Sequence, residues 1–121
     1  MMLPREGAKY GNRFTYVDNI RFDSKREAAR YQELRLLVVA GEITDLQLQV
    51  PYPLVVHRVG AELGRGAPLA GVVIGRYIAD FVYSDKAGRQ HTEDVKGVRT
   101  PVYKLKKKIV EVIYGILVEE I

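Results

Sequence analysis

The sequence predicts a mixed fold, α+β or α/β with a mixed sheet, built as a single domain of 121 residues. Three observations predict it: two segments with helix caps and helical apolar spacing, strand-like runs between them, and turn residues at the joints. The length allows one core and is short for two ordinary domains.

Residues 13–22 read as two short strands around an Asp18-Asn19 turn, because both residues tolerate positive φ. Ser24 stands three residues before Glu27, the spacing of a capping box, and helix formers run on to Ala40 before Gly41 stops them. The buried stripe of this first helix is expected at Tyr31, Leu34 and Val38. One turn back from Tyr31 lies Glu27, which either completes the cap or points into a polar site. Glu33 aligns with Arg26 and Arg30 as a surface pair.

Residues 43–56 suggest one or two strands, confined by Pro51 and Pro53 to an edge or a bulge. Gln47 and Gln49 share a face there, as substrate contacts or as the polar side of an open sheet. Residues 57–76 are rich in glycine and read as a long loop or extended hairpin. Gly64-Arg65-Gly66 matches neither a P-loop nor a dinucleotide fingerprint, so no nucleotide cofactor is expected.

Two strands follow, Tyr77–Tyr83 and His91–Gly97, joined by a hairpin turn at Asp85-Lys86-Ala87-Gly88. Thr100 then caps a second helix with Pro101 at its first position, and Gly115 ends it. Val102, Leu105, Ile109 and Val112 recur at helical spacing and are expected against the sheet, with Lys104, Lys107 and Lys108 on the opposite side. Ile116–Val118 supply a last strand. Tyr77 and Tyr83 read as packed strand residues, and Tyr103 as either exposed on the basic helix or packed.

Composition narrows the chemistry. Without cysteine there is no disulfide, thiolate zinc site or cysteine nucleophile. His57 and His91 have no second ligand at zinc spacing. The start lacks a signal-peptide core and no apolar run reaches membrane-spanning length, so a cytoplasmic protein that spans no membrane is expected. Net charge is +4, and Lys96, Arg99, Lys104, Lys106, Lys107 and Lys108 fall in one stretch free of acids. Such a run suits a polyphosphate partner or forms a solvated helix face.

Charged residues inside the two middle strands are hard to explain by folding alone. Alternation puts Asp94 and Lys96 on one face, and a suitable register brings Asp80 beside Asp94. Paired acids cost free energy unless a cation lies between them. A hard divalent ion such as magnesium is that cation, and Lys96 would then face a phosphate or the attacking water.

This order of a helical acid, a strand acid, acid-x-Lys and a helix resembles the PD-(D/E)XK nuclease superfamily, whose restriction-endonuclease-like core runs α-β-β-β-α-β. The matching residues are Glu27, Asp80 and Asp94-Val95-Lys96. A narrower likeness is to small phage-encoded members of uncharacterised function. It rests on Ile20–Ala28, Tyr77–Phe81, Glu93–Gly97 and the Lys-rich second helix. Ala79 replaces the proline that names the first motif, a position that shapes the strand and supplies no ligand. Glu93 beside Asp94 offers a second candidate acid. Alternation favours Asp94, with Glu93 facing away or in a surface pair.

The resemblance implies a magnesium-dependent DNA endonuclease, with manganese able to substitute. Asp80, Asp94 and the Val95 carbonyl would bind the ion, and Glu27 would add a direct or water-mediated ligand. Lys96 would orient or deprotonate water and stabilise the phosphorane, while Arg99, Lys104, Lys107 and Lys108 hold the DNA backbone. No base-reading module remains in so short a chain, which favours branched DNA such as a Holliday junction, cut by a homodimer in a bacterial host cytoplasm. The alternatives are a non-catalytic nucleic-acid-binding phage accessory protein and the nuclease subunit of a larger recombination assembly.

Overall fold

The computed structural model describes residues 14–57 and 71–121. Its elements are β1 (Thr15–Val17), β2 (Ile20–Phe22), α1 (Lys25–Val39), β3 (Ile43–Val56), β4 (Val72–Asp85), β5 (Gln90–Asp94), α2 (Pro101–Tyr114) and β6 (Val118–Glu120). β1 and β2 form a small antiparallel sheet, and the other strands form one sheet in the order β3-β4-β5-β6. That sheet is mixed. β4 and β5 make a hairpin, whereas β5 and β6 run parallel, pairing Thr92 with Val118 and Asp94 with Glu120, because α2 carries the chain back between them. Two compact units are present, Met1–Leu46 with Tyr83–Gln90, and Gln47–Val82 with His91–Ile121.

In the first unit the Asp18-Asn19 turn has φ of 53° and 64°, the left-handed pair that a two-residue hairpin requires. Ser24 Oγ accepts the Glu27 N–H at 3.1 Å and caps α1. At the other end Gly41, with φ of 77°, lets its own N–H reach the Val38 carbonyl and that of Glu42 reach Leu37, satisfying two orphan acceptors. Ala28, Tyr31 and Leu34 are buried. Tyr31 stacks at 5.1 Å on Phe22 and donates to Asp18 Oδ2, tying helix to hairpin. The expected surface pair of Arg30 and Glu33 forms at 2.8 Å. Ser24→Ala should cost about 1 kcal/mol, read as a lower urea midpoint, because the Glu27 N–H loses its acceptor. An unchanged midpoint would contradict the cap's contribution.

The second unit packs Leu54, Tyr77, Ala79, Val82, Tyr103, Val110 and Val118 into one core. β3 is an edge strand, which accommodates Pro51 and Pro53. Thr100 and Gly115 cap α2 as expected, Gly115 in the left-handed region with φ of 64°.

The helix phase differs from expectation. Val102, Leu105 and Val112 are 62–78% exposed, and Tyr103 and Val110 are the buried pair, with Ile109 partly buried. Aliphatic spacing misled because Tyr103 buries a large ring while its hydroxyl stays satisfied, donating to Glu120 at 2.8 Å.

Three boundaries and one side chain also move. β4 begins at Val72, inside the expected loop, whose residues 58–70 lie outside the described residues. β5 ends at Asp94 instead of Gly97, since the Val95 N–H turns to the Asp80 carboxylate. β6 falls at Val118–Glu120 instead of Ile116–Val118. Glu93 is fully buried, which corrects the surface pair expected of it: β5 is an interior strand, flanked by β4 and β6. Among the described residues no helix is long and apolar enough to cross a membrane.

Candidate functional site

The end of β5 brings acids and a cation together within the second unit. Asp80, midway along β4, accepts the Val95 N–H on Oδ2 at 2.8 Å and the Gln49 side-chain amide on Oδ1 at 3.2 Å. Gln49 reaches it from β3 with a left-handed φ of 54°, a conformation uncommon for a residue with a side chain. Asp94 is buried and accepts the Tyr77 hydroxyl on Oδ2. Its Oδ1 lies 3.2 Å from Lys96 Nζ, an ion-pair distance. Apart from that ion pair, Oδ1 is a buried acceptor without a hydrogen bond. Lys96 Nζ also sits 4.6 Å above the Tyr103 ring, so both the carboxylate and the π face hold it.

Electrostatics mark the same acids. Burial, reinforced by the neighbouring Asp94 charge and opposed by the Val95 N–H, pushes the Asp80 carboxyl up to about 6. Burial and Asp94 together raise the Tyr77 phenol well above its ordinary value, so it remains a donor at neutral pH. Tyr103 rises for similar reasons, burial first and then its bond to Glu120. The charged form of Asp80 is thus the one that burial disfavours.

A stability effect follows from Asp80. Its folded value near 6 exceeds the ordinary 3.8, so the folded chain keeps a proton that the unfolded chain has released. The stability from this group is fully present below about pH 4 and is lost as pH rises through about 6. In chelator, Asp80→Asn should therefore gain on the wild type between pH 4 and pH 7, by an amount on the order of 1 kcal/mol at the upper end. Denaturant midpoints across that range test it, and a constant difference would contradict the shift.

The other expected residues are placed as follows. Glu27 belongs to the first unit, half-buried near the start of α1. Lys104 and Lys108 are exposed on α2. Lys107 pairs with Glu111 at 3.2 Å, and Arg99 with Glu120 at 2.8 Å. His91 Nδ1 lies 2.7 Å from Glu119. A cavity of about 290 Å³ opens beside Asp94, lined among others by Arg76, Tyr77, Lys96, Thr100 and Lys106. Sequence reasoning missed Arg76, counted Lys106 only within the basic run, and read Tyr77 as packing alone. Arg76 stands four residues before Asp80 on β4, an even spacing that puts both on one strand face and would have flagged it. Among the described residues no group of three His, Cys, Asp or Glu is arranged to hold a metal.

A family model described as protein of unknown function, DUF1064, matches residues 7–119. The chain belongs to the DUF1064 family. No curated protein and no solved structure matches it. The match to DUF1064 spans Asp80, Asp94, Lys96 and the basic helix, which all lie within the family's own region.

Proposed function

We propose that this DUF1064 protein is a magnesium-dependent DNA endonuclease selective for branched substrates. The observation that carries the reading is the buried Asp94 Oδ1, unbonded and facing a cation, with Asp80 as its charged neighbour. A buried acceptor without a hydrogen bond is costly, and hard carboxylate oxygens suit magnesium or manganese. Once bound, the ion would neutralise the paired acids and polarise the scissile phosphate.

The chain's own groups do the rest. Tyr77 fixes the Asp94 carboxylate by bonding one oxygen, which leaves the other for a cation. Gln49 and the Val95 N–H fix Asp80, each through one lone pair, so both oxygens keep acceptor capacity. Lys96, held by Asp94 and the Tyr103 ring, orients water and stabilises charge as the phosphorane forms. Exposed Lys104 and Lys108, with Lys107 and Arg99, hold phosphates without reading sequence. Cutting both strands of a junction needs two such sites, which a symmetric homodimer supplies.

A second reading is a nucleic-acid-binding protein without catalysis, since the described residues bring no three His, Cys, Asp or Glu side chains together as a metal-holding group. Incubation of the purified protein with linear, forked and four-way DNA separates the two. The nuclease reading expects magnesium-dependent cuts, most on four-way DNA; binding without cleavage of any substrate favours the second.

A further inference from the structure

The cavity beside Asp94 has more positive charge than the acids require. Lys96 is matched to Asp94 at 3.2 Å. Arg76, from β4, and Lys106, from the second turn of α2, line the same cavity, and neither has an acidic partner among the described residues. Two unmatched cations at one concave site are electrostatically costly in the free protein and favour a bound anion.

Other groups lining the cavity agree in sign. It lies at the start of α2, whose first turn carries no acid and whose N–H groups favour negative charge. Thr100 Oγ accepts the Tyr103 N–H, so its hydroxyl proton remains available to donate. Tyr77 and Tyr103 spend their hydroxyls on Asp94 and Glu120 and present mainly ring surface. At about 290 Å³ the space is of a size for one nucleotide unit.

We propose that this cavity is a subsite for a single nucleotide unit, its phosphate gripped by Arg76 and Lys106 with help from Thr100. Its position beside Asp94 makes that phosphate a neighbour of the scissile one, a placement that rests on the nuclease reading; the binding itself does not. The shared chemistry is a phosphate monoanion or dianion, which either a DNA strand or a free mononucleotide can present.

Binding of a labelled single-stranded oligonucleotide, followed by fluorescence anisotropy in chelator over a salt series, tests the proposal without relying on cleavage. Arg76→Gln and Lys106→Gln should each weaken binding about tenfold and flatten the slope of log affinity against log salt by about 0.7, the value for one lost single-strand phosphate contact. Arg89→Gln, on the exposed β4–β5 turn, should change neither. A deoxynucleoside monophosphate should displace the oligonucleotide at lower concentration than inorganic phosphate does. Unchanged slopes in both variants would overturn the subsite, and equal displacement by inorganic phosphate would overturn its nucleotide character. If wild-type protein fails to cut DNA while the slopes change as stated, the nuclease reading fails and the subsite stands; cleavage with unchanged slopes gives the reverse.

Discussion

Asp94→Asn should abolish the magnesium-dependent DNA cleavage proposed for this chain, lowering the rate by ~10³-fold or more, while the chain stays folded. Asparagine keeps an oxygen to accept the buried Tyr77 hydroxyl but removes the charge that would hold a cation. Alanine would confound the result, since it strands Tyr77 in the core without its acceptor. Loss of the Asp94 charge also relieves its repulsion with Asp80, so the metal-free variant should melt at the same temperature as the wild type or higher. Cleavage rates of the two purified proteins on one substrate, with circular dichroism as the folding check, decide the matter. Retained cleavage would remove Asp94 from the site and turn attention to Glu93, although Glu93 is fully buried.

Lys96→Gln should lower turnover ~10²-fold or more while leaving oligonucleotide affinity within a few-fold of wild type. The lysine's proposed interaction grows as charge develops on the phosphorane, so its loss falls on the rate. The same substitution frees Asp94 Oδ1 from a competing cation 3.2 Å away. Manganese should consequently bind as tightly or more tightly. That pairing of slower turnover with undiminished ion affinity distinguishes a catalytic role from damage to the fold, which would weaken both. Equal losses of DNA affinity and rate would reduce Lys96 to one more phosphate contact.

Signals confined to a few neighbouring residues were legible in the sequence. Asp18-Asn19 specify the first hairpin, Ser24 and Thr100 start the helices, Gly41 and Gly115 end them, and the structure shows each feature where it was expected. Asp94 and Lys96 do meet, although β5 ends at Asp94 and strand alternation therefore does not account for the place of Lys96. Features set by longer-range packing were not legible. The inward face of α2 depends on Tyr103 finding Glu120 seventeen residues on, which no helical periodicity encodes. Gln49 meets Asp80 across thirty-one residues and through a left-handed φ that breaks strand alternation. Tyr77 looked like ordinary core because its ring is core, and only the register of β4 against β5 shows where its hydroxyl goes. Arg76 was hidden by the glycines before it, which read as loop although β4 already begins at Val72.

Titration of the metal-free protein with manganese, followed by the paramagnetic resonance signal of the free ion, tests the central claim most directly. An ion held by Asp80 and Asp94 predicts saturable binding by the wild type that is lost in both Asp80→Asn and Asp94→Asn, and displacement of the manganese by magnesium. Binding of equal strength in all three proteins, or no saturable binding in the wild type, would contradict a metal site at this pair.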